Sequence, residues 1–73
     1  MERNEKSLRK FGQLLAGLRK QKNLDVRELA SRAGLDPRQL TRIEAGEVNM
    51  HFTTILALAR GLGITPEELL ESP

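Results

Sequence analysis

Apolar side chains recur along the chain at helical spacing. Turn residues at Lys22-Asn23, Gly34, Gly46 and Gly63 cut that pattern into five short segments. In the first, Leu8, Phe11, Leu15 and Leu18 fall on one helical face, and Asn4 or Ser7 is placed to cap its start. The second opens on Asp25 followed three residues later by Glu28, a capping box, and turns Leu29, Ala30 and Ala33 inward. The third opens on Asp36-Pro37. Asp36 is a good N-cap, Pro37 suits the first helical position because its missing N–H would find no partner there, and Gln39 completes the box. Leu40 and Ile43 face inward, and Gly46 suits the left-handed position past the helix end. The fourth carries Phe52, Ile55, Leu56, Leu58, Ala59 and Leu62, apolar over more than half its circumference, and is expected to be the most buried helix. Met50 and Phe52 are expected as core filler. Gly63 ends this segment, and Thr65-Pro66-Glu67-Glu68 starts a last short helix bearing Leu69 and Leu70.

No segment alternates with strand period. The prediction is an all-α fold, a compact five-helix bundle around one core. Only Gly34-Leu35 separates the second helix from the third, so the two must cross steeply, with the small Ala30 where a larger side chain would hold them apart. That arrangement is a helix-turn-helix.

Composition narrows the function. A chain of 73 residues fits one small domain with a thin core, with residues 1–6 as a frayed tail. There is no cysteine and one histidine, which excludes disulfides and an ordinary zinc site and leaves a partner subunit as the expected staple. No apolar run is long enough to span a bilayer, and the polar start Met1–Lys6 is no secretory signal, so a cytoplasmic location without a membrane partner is expected. No paired catalytic carboxylates, nucleophile–base constellation or Gly-rich phosphate loop is present, so an enzyme is not expected. No cofactor, metal or small-molecule effector is implied. The net charge is +2, but residues 1–43 hold eleven Lys/Arg against five Asp/Glu, and residues 44–73 one against five. A basic first half and an acidic second half place a polyanion contact in the first half.

Within that half, the third helix presents Arg38, Gln39, Thr41 and Arg42 outward. Arg can grip guanine O6 and N7 with two bonds, and Gln can do the same to adenine N6 and N7.

From Phe11 to Leu70 the chain resembles the Cro/repressor-type (XRE) helix-turn-helix family. The matching stretches are Phe11-Gly12 with Leu18-Arg19, Leu24 through Leu29-Ala30, Ala33-Gly34-Leu35, Arg42-Ile43-Glu44 with Gly46, and Leu58-Ala59 with Leu62-Gly63-Ile64. In size and over residues 46–54 it is most similar to the controller proteins of restriction–modification systems. The resemblance implies a lambda-repressor-like domain that binds double-stranded DNA sequence-specifically and regulates transcription, with the recognition helix spanning 37–44 in the major groove. By position, Pro37, Arg38, Gln39 and Arg42 would read bases, Pro37 only through apolar contact with a thymine methyl. Arg19 would pair with Glu44 and turn toward a phosphate. The family's phosphate-binding Gln position is Val26 here, and Arg27, the free N–H groups of the second helix and Asn49 are the remaining phosphate contacts. Lys10, Lys20, Lys22 and Arg32 are weaker candidates.

Three departures from the family pattern point to a weaker phosphate grip. Val26 stands in place of Gln, the loop after the third helix carries Glu47 where a cation is common, and Met50 stands where Pro is frequent. His51 occupies the cap position of the fourth helix and reads as a surface residue or imperfect cap.

One short recognition helix reads too few base pairs for genomic specificity. The expected unit is a homodimer on a near-palindromic operator, joined through Leu62, Ile64, Leu69 and Leu70. Two other readings fit the same residues: an antitoxin-type module whose main partner is a toxin protein, and the N-terminal half of a longer phage repressor.

Overall fold

In the computed structural model, which describes residues 5–71, all five periodic segments are helical: α1 Glu5–Gln21, α2 Val26–Ala33, α3 Pro37–Glu44, α4 Phe52–Leu62 and α5 Pro66–Glu71. No strand occurs among the described residues, and the fold is all-α. Of the tail expected over residues 1–6, Glu5 and Lys6 already belong to α1, and residues 1–4 lie outside the described residues, as does the cap expected at Asn4. Ser7 sits inside α1 and is not its cap.

Local chemistry sets the helix ends. Before α2, the Asp25 carboxylate accepts the Glu28 N–H at 2.8 Å while the Glu28 carboxylate accepts the Asp25 N–H at 2.9 Å, so two donors that the helix leaves unpaired are satisfied. Thr65 and Glu68 repeat the arrangement before α5. At α3 the expected box through Gln39 is replaced by a shorter loop, in which Asp36 accepts the N–H of Arg38 at 2.8 Å. Asn23 takes the left-handed conformation, φ 58°, in the turn from α1 to α2. His51 precedes α4 with no side-chain bond to the helix, and only its carbonyl serves the first turn, accepting the Thr54 N–H at 2.9 Å.

The core is formed by Leu15, Leu24, Leu29, Ala30, Ala33, Leu40, Ile43, Leu58, Ala59, Leu62 and Leu69. α4 crosses α2 at Gly61, where an added Cβ would lie 3.0 Å from Leu29 Cδ1. α1 lies over the C-terminal end of α3 at two glycines. A methyl on Gly12 would overlap the carbonyl oxygens of Ile43 and Glu44, and one on Gly46 would lie 2.7 Å from Arg9 Cα. Gly12 shares the inward face of Leu8 and Leu15, so a residue without a side chain marks the point of closest approach.

Three expectations about apolar residues need correction. Phe52 is 61% exposed and is not core filler, whereas Met50 packs against the core. Leu62 and Leu69 are 3% and 0% exposed, committed to the chain's own core, and so are not free to line an interface with a second subunit. Of the four residues expected there, Leu70 is 53% exposed and Ile64 is half-buried against the core.

Candidate nucleic-acid interface

The geometry of α3 follows from which of its residues the core takes. Leu40 and Ile43 are fully buried and fix the rotation of the helix about its axis. Pro37, Arg38, Gln39, Thr41 and Arg42 are thereby exposed along one convex strip. α3 follows α2 across the left-handed Gly34 at φ 72°, and the strip lies on the side of α3 opposite Leu40 and Ile43. Thr41 donates its hydroxyl to the Pro37 carbonyl at 3.1 Å, which leaves its methyl group and an oxygen lone pair for other contacts.

Position along the axis is held by Arg19 and Glu44. Arg19 Nε donates to Glu44 Oε2 at 2.8 Å, Nη2 donates to Oε1 at 3.2 Å, and Nη1 donates to the Leu24 carbonyl at 2.9 Å. One side chain thus ties the end of α1, the entry to α2 and the end of α3. The side chains are 11% and 12% exposed. The Glu44 hydrogen bond raises the Arg19 pKa further above its already high value, against the opposing effect of burial, so the guanidinium is charged at any pH at which the protein is folded. All three guanidinium nitrogens are engaged inward. The phosphate contact expected of Arg19 therefore does not fit its burial, and its role is to position α3.

The other phosphate candidates are placed differently. Val26 turns its side chain to the core, which leaves its backbone N–H as the group it can present. Within the first turn of α2 the capping box takes the Glu28 N–H, while helical geometry gives the Val26 and Arg27 N–H groups no intrahelical partner. Arg27 and Asn49 are exposed. Lys10, Lys20, Lys22 and Arg32 are exposed as well, without a feature that singles them out.

Each arginine on the strip stands beside a carboxylate, a relationship the helical pattern did not reveal. Arg38 Nε lies 3.6 Å from Asp36 Oδ1, and Arg42 Nε lies 3.9 Å from Glu47 Oε1. The N–H of Arg38, then its guanidinium, hold the Asp36 carboxyl below the ordinary aspartate range. Surface rotamers set these pairs. The hint in the sequence was the acidic residue at each edge of a basic helix.

The described residues contain no group of His, Asp and Glu side chains arranged to hold a metal ion. None of their helices is long and apolar enough to cross a membrane.

An all-helical body that exposes a short polar helix across a tight glycine turn defines a helix-turn-helix protein, and the family model for the helix-turn-helix domain matches residues 10–71. The chain belongs to that family and is a sequence-specific DNA-binding regulator. The restriction-modification controller protein C.AhdI from Aeromonas hydrophila has a crystal structure similar to this one, with 43% sequence identity and a TM-score of 0.84 over 86% of this chain and 96% of that chain. Among curated proteins none matches the chain.

Proposed function

We propose that the chain is a dimeric transcription regulator of the restriction–modification controller type, acting by binding DNA rather than by catalysis. α3 lies in the major groove, where Arg38 and Arg42 grip guanines, Gln39 reads adenine, and Pro37 and the Thr41 methyl make apolar contact with thymine. Arg27, Asn49 and the free N–H groups at Val26 and Arg27 hold phosphates and set the register without reading sequence. Two copies related by a two-fold axis bind a near-palindromic operator.

The observation that carries this reading is the exposed polar strip of α3 on a helix whose rotation and axial position are both fixed, by Leu40 and Ile43 on its inner face and by Arg19–Glu44 at its end. Base readout needs such rigidity, because discrimination depends on hydrogen-bond geometry. The similarity to a restriction-modification controller protein supports the choice of regulatory role.

Selection of bound duplexes from a random DNA pool tests it. The expected product is a near-palindrome with half-sites about 10 base pairs apart, centre to centre. A pool that fails to converge would overturn the reading.

A further inference from the structure

We propose that Asp36 and Glu47 are specificity-determining positioning residues: each carboxylate neutralises and orients a base-reading arginine, so that α3 binds random DNA weakly while keeping its grip on guanine. The inference rests on the reading of α3 as the recognition helix and adds to it the residues that set discrimination.

The pairs sit at opposite edges of the same strip. Asp36 is the residue before α3, and Glu47 lies in the loop beyond it. In both pairs the closest approach is through Nε, the nitrogen nearest the backbone, at 3.6 Å to Asp36 and 3.9 Å to Glu47. A carboxylate on that side leaves the outer Nη1/Nη2 edge as the donor pair, and two parallel N–H groups on one edge are what guanine O6 and N7 accept. The side chains are well exposed, 93% for Arg38 and 54% for Asp36, and 62% for both Arg42 and Glu47. Exposed pairs of this kind contribute little to folding stability. Asp36 also caps α3 by accepting the Arg38 N–H, but capping does not require the pair with the guanidinium, and Glu47 lies outside any helix.

Their effect falls on DNA binding. Binding to random sequence comes from phosphate neutralisation, and each cation that engages a phosphate releases counterions. Arg38 with Asp36, and Arg42 with Glu47, carry no net charge as pairs. They attract the phosphate backbone weakly and bring a carboxylate toward it. A bidentate contact to guanine depends on donor geometry more than on net charge and survives the pairing. The carboxylates therefore lower affinity for every sequence through repulsion, and lower it further where the arginines would otherwise settle on phosphates.

The test uses the full chain with Asp36→Asn, Glu47→Gln and both together. Asn retains an N-cap acceptor, and Glu47 lies outside any helix. Affinities for the selected operator and for a random duplex are measured across a salt series. The double variant is expected to bind random duplex about tenfold more tightly, with a salt slope steeper by up to ~2, roughly 0.9 for each phosphate gained. Operator affinity is expected to change by a smaller factor, so discrimination falls. Equal gains on both duplexes would mean general repulsion only and would overturn the proposal, as would an unchanged ratio. Glu47→Gln alone carries the test if Asp36→Asn unfolds the chain. Wild-type protein that does not discriminate would overturn the reading of α3 itself, and this inference with it; discrimination that persists undiminished in the variants overturns this inference alone.

Discussion

Arg19 and Glu44 meet through two hydrogen bonds, 2.8 and 3.2 Å long, across the junction of α1 and α3. Nearly nine-tenths of each side chain is buried, so neither charge is well solvated without the other. Glu44→Ala would leave a desolvated guanidinium with only the Leu24 carbonyl as partner. Breaking such a pair from one side costs about 3 kcal/mol, which in a domain this small lowers Tm by roughly 10 °C or more. Replacing both partners together, Arg19→Met with Glu44→Leu, should recover most of that loss, since no orphaned charge remains. A melting temperature unmoved by Glu44→Ala would show that the pair does not hold α3.

Two glycines in α1 should respond to alanine with opposite signs. At Gly17 nothing lies within 4 Å of an added Cβ, so the change gains about 1 kcal/mol of helix propensity. At Gly12 the same methyl overlaps the Ile43 and Glu44 carbonyls, which are backbone and cannot swing aside. Overpacking there costs roughly 1–3 kcal/mol and moves α1 off α3, with the Arg19–Glu44 bonds at risk. Thermal unfolding of the two variants decides it, and a stabilised Gly12→Ala would mean that α1 sits farther from α3.

Acid should loosen the caps in a predictable direction. Asp36 is held below its ordinary pKa, first by the Arg38 N–H, and Glu68 below its own by the Thr65 N–H. A carboxylate with a depressed folded pKa adds stability that is fully present above the unfolded value, about 4, and lost as pH falls through the folded value. Tm should therefore be insensitive to these two groups from pH 7 to about 5 and should fall below about pH 4. Asp36→Asn should flatten part of that fall. A fall of equal depth in the variant would remove Asp36 from the account.

Most of the helix boundaries were legible because they are written in local chemistry. Asp25 with Glu28, Thr65 with Glu68, Pro37, Gly34 and Gly63 set the starts and stops whatever the tertiary context. The helix-turn-helix and its exposed strip follow from spacing alone. What spacing could not decide was rotation where apolar residues crowd a helix all round. In α4, Phe52 and Leu62 read alike by pattern, yet docking on α2 buries one and exposes the other. In α5, adjacent leucines cannot both face inward, and the core takes Leu69. Side-chain reach was equally hidden. The resemblance implies the Arg19–Glu44 pair, but not that the remaining guanidinium nitrogen is taken by the Leu24 carbonyl, which leaves none for a phosphate.

Arg38 and Arg27 should separate reading from holding. Arg38→Ala is expected to cost about 1–3 kcal/mol of discrimination at one base pair of each half-site. Arg27→Ala should weaken operator and random duplex alike and reduce the salt slope by about 0.9. Equal loss on both duplexes for Arg38→Ala would place that side chain on a phosphate instead.

A dimer is expected to form through the surface around Leu70, not through Leu62 or Leu69. Phe52 and Leu70 are the large apolar side chains left exposed among the described residues, at 61% and 53%. A chain of 73 residues has a thin core, and leaving such groups in water forgoes roughly 1.5–3 kcal/mol for each side chain that a partner could bury. A two-fold axis at this surface would make the contact self-complementary and close it at two copies. Two α3 helices reading successive turns of the major groove on one face of the duplex must lie about 34 Å apart. Leu70→Glu places a charge in that contact without touching the core, so it should yield folded monomers whose operator affinity collapses. Leu69→Glu would instead put a charge in a fully buried position and unfold the chain, which distinguishes an interface residue from a core residue one position apart. Sedimentation of the wild-type protein and of Leu70→Glu reads the outcome. A wild-type chain that remains monomeric at high concentration and binds its selected site one to one would exclude the dimer.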